Sequence, residues 1–285
     1  MTKTYQPNEP IWCAGCGHYG VRNALLAAFR QMQIESHQAM VLAGIGCAGT
    51  LQNNVSAYGY HALHGRVLPT ATGAKLANPR LDVIAVGGDG DGYAIGCGHL
   101  IHSFKRNPGV VYILMNNGTY GLTKGQHSPT ADVEDTAEQA LDGVQLGLSI
   151  PGSSFIARGS SASPVQLEAL IVAAIEHTRA GLGFAFLEVL SPCVTYNDTY
   201  PAWAGRMVNV DELAEYDCDN RIGAFAAVNS LMVENRFATG LIFKQDGRSP
   251  ERRRLDSGQA PLCELDISPD SHLSEFREIM AGYGV

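Results

Sequence analysis

Short apolar runs recur along the first two thirds of the chain: "MVLAGIG", "LDVIAVGG", "VVYILMNN", "SSFIARG" and "FAFLEVL". They are hydrophobic on both faces and mostly end in glycine, asparagine or proline, which predicts interior strands of a parallel sheet. Between them the period changes. Val21, Leu25, Ala28, Phe29 and Met32 recur at helical spacing and predict a helix from about 18 to 32. Further helices are predicted at "GCGHLIHSFKR" (96–106), "DTAEQALDGVQLG" (135–147) and "SPVQLEALIVAAIEHTRA" (163–180). The last has Ser163 to cap it, Pro164 in its first turn and Gly181 at its end. Strand alternating with helix predicts a doubly wound α/β fold with a mainly parallel sheet, whose ligand sits outside the carboxyl ends of the strands. After about Asp211 the alternation fades, so the expected division is one domain over 1–210 and a C-terminal helical and extended extension over 211–285.

Two strand ends carry polar residues. "GGDGDGY" follows one apolar run and a pair of asparagines ends the next. Asp89 and Asn117 offer hard oxygen ligands of the kind Mg²⁺ takes while keeping other positions for water, a carbonyl and phosphate. Glycines 87, 88, 90 and 92 let the backbone approach a phosphate. Asp and Asn at strand ends also form ordinary turns and caps. The spacing argues further, because 117 − 89 = 28 residues is one helical crossover between parallel strands. GDG followed one crossover later by NN resembles the thiamin diphosphate fingerprint. That resemblance implies Mg²⁺ held by Asp89, Asn117 and the carbonyl of Thr119.

The chain has seven cysteines. Cys13 and Cys16 form a CxxC ahead of a helix, Cys47 ends one strand in "GIGCAGT" and Cys193 follows another in "SPCVTYN". Four thiolates on loops at one sheet edge suit a tetrahedral Cys₄ zinc site or a [4Fe-4S] cluster, and CxxC alone also suits a redox disulfide. Cys97, Cys218 and Cys263 have no partner at ligand spacing and read as incidental thiols.

From Trp12 to about Thr195, "WCAGCGHYGV", "GIGCAG", "HALHGRVLPTATGAKLANP", "GGDGDGYAIGCGH", "MNNGTYGLTKGQHSPT" and "SPCVTYN" occur in this order. Together they resemble the beta subunit of 2-oxoacid:ferredoxin oxidoreductases, most closely the 2-oxoglutarate type. The resemblance implies thiamin diphosphate, Mg²⁺ and one [4Fe-4S] cluster on Cys13, Cys16, Cys47 and Cys193. It implies a cofactor pocket formed by Ile45, Gly46, Cys47, Ala48, His64, Gly88, Gly90, Asp91, Gly121, Leu122 and Thr123. His64 is expected to contact the diphosphate and Lys124 to pair with the distal carboxylate of 2-oxoglutarate. His61 reads as an ordinary loop residue, Arg66 as a fixed cation nearby, and Glu188 as a strand residue near the sheet surface. The glutamate that activates thiamin comes, in such enzymes, from an alpha subunit, so an αβ or α₂β₂ assembly is implied. The reaction implied is reversible oxidative decarboxylation, in which coenzyme A takes the acyl group and ferredoxin the electrons. Pyruvate or branched 2-oxoacids are the alternative substrates. A non-redox thiamin enzyme predicts no cluster and a longer chain, and a zinc-stapled interaction protein predicts a colourless one.

Composition is compatible with this. Of 285 residues, 45% are hydrophobic and 17% charged, enough to build a sizeable core. A net charge of −8 argues against a nucleic-acid partner, and the one dense basic run, "RSPERRR" at 248–254, reads as a solvated loop. The first ten residues lack a signal-peptide core, and no apolar stretch is long enough for a membrane span, so a cytoplasmic location is expected.

Overall fold

Five apolar runs become five parallel strands. The computed structural model describes residues 7–131, 138–266 and 268–284. Among them β1 (Ala39–Ala43), β3 (Asp82–Gly88), β4 (Val111–Asn116), β7 (Phe155–Ser160) and β8 (Ala185–Leu190) lie side by side in the order β1-β3-β4-β8-β7, every neighbouring pair parallel. Alternate residues feed two cores. Ile84, Val86, Ile113, Met115, Leu187 and Val189 face one layer, while Val83, Ala85, Tyr112, Leu114 and Phe186 face the other. Helices α1 (His18–Gln31) and α5 (Pro164–Arg179) cover the first face. Helices α2 (Val67–Ala77), α3 (Cys97–Arg106), α4 (Gly143–Leu148) and α7 (Arg221–Val233) cover the second. Coverage of both faces is the physical reason these strands lack alternation.

Among the described residues five strands escaped the hydrophobic pattern, and two of them, β5 (Thr119–Tyr120) and β6 (Gln126–His127), form a separate antiparallel pair. β2 (Tyr58–His61) is an exposed edge strand, parallel to β1. β10 (Phe237–Lys244) pairs antiparallel with β7, and β9 (Met207–Asn209) runs parallel to β10 at the far edge. Residues 237–244 were expected in an extension beyond 211, yet they complete the sheet. Gly240, at φ +102°, accompanies a register shift in β10 that blurs its period.

Other local expectations need correction. The helix expected over 135–147 starts at Gly143, with Asp142 accepting from the Gln145 N–H at 2.8 Å; residues 138–142 are not helical and 135–137 lie outside the described residues. Ser163 sits at the start of α5 without a side-chain cap bond, whereas Gly181 takes φ +75° just past its end as expected. The "RSPERRR" stretch is no loop: it forms α8 (Pro250–Asp256), capped by Ser249, whose hydroxyl accepts from the Arg252 N–H. Two further helices, α6 (Tyr200–Ala204) and α9 (Pro269–Gly282), follow β8 and close the chain. No helix among the described residues is long and apolar enough to cross a membrane.

Glu188 is the largest correction. It is 1% exposed, on the second face of β8, opposite Arg158 of β7 in register. Arg158 Nε donates to Glu188 Oε2 at 2.5 Å and its Nη2 to Asp142 Oδ2 at 2.6 Å. Tyr93 and Asn116 donate to Glu188 Oε1. A lone acid in an apolar strand looked superficial only because its partners come from three distant segments.

A buried histidine makes stability depend on pH. His177 of α5 lies 2.9 Å from Ser154 Oγ, and burial lowers its pKa from 6.5 to about 4. Between those values the unfolded chain binds a proton that the folded chain refuses, so stability falls as pH drops from 6.5 toward 4. The His177→Gln variant is expected to lose less stability across that window than the native chain, measured as urea midpoints at several pH values. Parallel pH curves would contradict it.

Candidate active site

The carboxyl ends of β1, β3, β4 and β8 deliver four loops to one edge. Because Ala43 pairs with Val86, Gly88 with Met115 and Asn116 with Leu190, the loops begin at nearly one level. Between them lie two adjoining cavities.

The first holds the expected acid and amide. Asp89, Asn117 and Thr119 line it, all nearly buried. Asp89 Oδ2 accepts from the Gly118 N–H (3.0 Å), Ser128 Oγ (2.5 Å) and Thr130 Oγ1 (2.7 Å), and burial raises its pKa against those bonds. A carboxylate so fixed on one oxygen keeps its other for a hard cation. Thr130 Oγ1 also lies 2.8 Å from Asn116 Oδ1, and its single proton serves one acceptor at a time. Through Asn116 the site therefore connects to Glu188 and Arg158. Ser128 and Thr130 were not singled out in the sequence, although "HSPT" follows the asparagines closely.

The loop after β1 brings Ile45, Gly46, Cys47 and Ala48 to the same cavity, and His64, Gly88, Gly90 and Asp91 complete that side. Gly121, Leu122 and Thr123 close the other, and Tyr120 joins them. Asp91 acts as a clamp. Its Oδ1 accepts from the Ile45 and Gly65 N–H groups at 3.0 and 2.8 Å and lies 2.9 Å from His64 Nδ1. The carboxylate thus holds two loops together and stands beside His64.

The four motif glycines differ in what an added side chain would meet. A Cβ on Gly87 or Gly92 would strike the Tyr112 hydroxyl at 2.6 or 2.4 Å, and one on Gly90 the Tyr120 ring at 2.1 Å. Those three are required by packing. A Cβ on Gly88 would meet nothing closer than 3.9 Å and would extend toward the cavity; Gly46, at φ +102°, has no neighbour within 4 Å. The cavity therefore has a glycine cradle that side chains would fill, and its donor set of carboxylate, amide and carbonyl oxygen suits a Mg²⁺-bound phosphate.

The second cavity is lined by Cys13, Cys16, Cys47 and Cys193. The CxxC turns at Gly15 (φ +82°), and the Gly17 N–H donates to the Pro192 carbonyl at 3.0 Å. That bond ties Cys16 to the loop of Cys193, and a Cβ on Gly17 would strike the Ser191 backbone at 2.5 Å. Asn197 joins the cavities: its N–H donates to the Cys193 carbonyl and its Nδ2 to the Asn117 carbonyl, at 2.9 and 3.0 Å. A Cβ on Gly121 would sit 3.5 Å from both the Cys47 and Cys193 sulfurs. Burial, with the other thiols nearby, pushes Cys16 up to about 11 and raises Cys47. Among the described residues no three His, Cys, Asp or Glu side chains are close enough to hold one metal ion, and the four thiols are distributed around the lining of this cavity. All seven cysteines are free; Cys97, Cys218 and Cys263 are outside both cavities.

Some expected residues are not brought in. Lys124 (φ +78°) is exposed one residue beyond the cavity lining. Arg66 pairs with His99 Nε2 at 2.8 Å, and His61, read as an ordinary loop residue, is exposed on the edge strand β2. Conversely, His18, in neither list of expectations, lines both cavities. It is 1% exposed, its Nδ1 has no partner, and burial lowers its pKa to about 4. Such an unpaired buried group costs about 1–3 kcal/mol. Its place two residues after Cys16 of the CxxC was the available signal.

Residues 36–189 match the family model of the thiamine pyrophosphate enzyme C-terminal TPP-binding domain. The 2-oxoacid:ferredoxin oxidoreductase subunit beta of Saccharolobus solfataricus is 38% identical over 285 aligned residues, covering 93% of this chain and 91% of that one. This chain belongs to the 2-oxoacid:ferredoxin oxidoreductase beta-subunit family. Within that family, the 2-oxoglutarate synthase subunit KorB of Methanothermobacter thermautotrophicus is 38% identical over 194 residues, 65% of this chain and 66% of KorB. A solved 2-oxoglutarate:ferredoxin oxidoreductase from Magnetococcus marinus, with 2-oxoglutarate, coenzyme A and succinyl-CoA bound, superposes with a TM-score of 0.83 at 29% identity, over 95% of this chain and 96% of that one. The family places the expected doubly wound fold and thiamin chemistry on this chain.

The cradle yields a test. The Gly88→Val variant is expected to fold normally, by circular dichroism, and to bind thiamin diphosphate at least tenfold more weakly by calorimetry. Unchanged binding would show that the cofactor does not approach the β3 end.

Proposed function

We propose that this beta subunit carries both the thiamin diphosphate and a [4Fe-4S] cluster of a 2-oxoglutarate:ferredoxin oxidoreductase acting in the cytoplasm. The observation that carries the reading is the shared wall: Cys47 lines the glycine-cradled cavity and the thiol-ringed one together. Thiamin diphosphate, when bound, supplies the electron sink for cleaving a 2-oxoacid beside its carbonyl, and the cluster supplies one-electron acceptance. Asp89, the side chain of Asn117 and the carbonyl of Thr119 would hold Mg²⁺, with Ser128 and Thr130 orienting the carboxylate. Gly46 and Gly88 would admit the diphosphate, and His64, beside Asp91 in the same lining, would contact it. Cys13, Cys16, Cys47 and Cys193 would ligate the cluster; thiols spread around a space suit a cube of iron and sulfide better than one zinc.

Preference for 2-oxoglutarate rests on Lys124, which is exposed beside the cavity-lining Thr123. Its ammonium would meet the distal carboxylate that pyruvate lacks. An alpha subunit would complete the site and cover the apolar rim, where Ile11, Leu63, Ile95 and Leu122 are each more than half exposed. Coenzyme A would take the acyl group and ferredoxin the electrons.

The anaerobically purified αβ complex is expected to reduce ferredoxin with 2-oxoglutarate and coenzyme A at least tenfold more efficiently than with pyruvate. Lys124→Ala is expected to raise KM for 2-oxoglutarate about tenfold or more with little change for pyruvate. Equal use of both acids by the native complex would overturn the substrate assignment.

A further inference from the structure

Among the residues common to both cavities are Cys47, Asn117, Gly121, Leu122 and His18. The roles proposed above account for Cys47 and Asn117, and Gly121 leaves room between two sulfurs. His18 has no such account. Its side chain is 1% exposed, and its Nδ1 is buried with no hydrogen-bond partner among the described residues. An apolar ring of the same shape would fill this place without leaving a polar atom unpaired.

The ring is held by the elements that carry the thiols. It packs edge-on against Trp12 (5.5 Å between centroids, 85°), and Trp12 Nε1 donates to the Cys47 carbonyl at 2.8 Å. Its own backbone N–H faces the Cys16 sulfur. Nδ1 is closed off from solvent without an acceptor. A buried orphan N–H is rarer than a buried orphan lone pair, so the proton of the neutral ring belongs on Nε2, the nitrogen left to address a cavity.

We propose that His18 donates a hydrogen bond from Nε2 to a sulfur of the cluster, and that this bond raises the reduction potential of the cluster. The proposal rests on the cluster assignment made above. Reduction adds negative charge to the sulfurs, and a donor to an anion binds more strongly than a donor to a neutral group, so the reduced form gains more. His18 acts here on the cluster through a hydrogen bond and takes no part in ligation.

The test is an EPR-monitored redox titration of the anaerobic αβ complex, after iron and sulfide have been measured. His18→Leu is expected to lower the potential, changing the reduced-to-oxidised ratio at a fixed potential about tenfold, or about 59 mV for one electron. His18→Gln, which keeps an N–H donor, is expected to restore most of that shift. Native potentials in both variants, or an equal fall in both, would overturn the proposal, since a packing role does not distinguish amide from isobutyl. If neither variant retains iron, the native complex made with isotope-labelled histidine decides: pulsed EPR of its reduced cluster should show coupling to a non-ligand histidine nitrogen, and absence of that coupling overturns the proposal. A native complex without iron and sulfide fails the cluster assignment instead, at the first step.

Discussion

The register of four parallel strands is the constraint on which the rest depends. β1, β3, β4 and β8 are hydrogen-bonded in sequence, so their carboxyl ends stand at one level and their loops meet. Slipping β4 by one residue would send Asn116 and Asn117 to opposite faces from those they now occupy and detach Asp89 from the Gly118 N–H. The apolar burial on both faces of the sheet fixes that register. Site geometry is thus a consequence of core packing, and the polar groups of the site are held where the core leaves them.

The two cavities are coupled by short local contacts. Cys47 follows the β1 loop into both, Asn197 bonds the Asn117 and Cys193 loops together, and Gly17 ties the CxxC to the end of β8. A group bound in one cavity must therefore be felt in the other. Cys16 and Cys47 are raised by burial and by the neighbouring thiols, so a metal bound there would have to displace their protons, which would couple loading of the thiol cavity to pH. His18, unpaired in the wall between, is the kind of stability cost that persists where a bound group repays it.

Much of this was legible in the chain. Parallel interior strands show as unbroken apolar runs, and a ligand at strand ends follows from topology, so Asp89, Asn117 and the cavity-lining loop residues could be located. The four thiols do surround one space, although only the folded loops reveal that they ring it. What the chain did not disclose depends on partners distant in sequence. Gly87, Gly90 and Gly92 are small because Tyr112 and Tyr120 pack against them, which no local pattern states. Glu188 is buried because Arg158 and Tyr93 arrive from other strands and loops. β10 was hidden by a register shift between Leu241 and Phe243, just past Gly240 at φ +102°, and Lys124 lies exposed one residue beyond the cavity lining.

The central claim is that the thiol-ringed cavity and the glycine-cradled one hold an electron acceptor and thiamin diphosphate side by side in this subunit. The most direct measurement is anomalous diffraction at the iron edge from anaerobic crystals of the αβ complex. The account predicts one strong iron peak per beta subunit among Cys13, Cys16, Cys47 and Cys193, beside diphosphate density at Gly88 and Asp89. A zinc-edge signal there, or iron found only in another subunit, would contradict it.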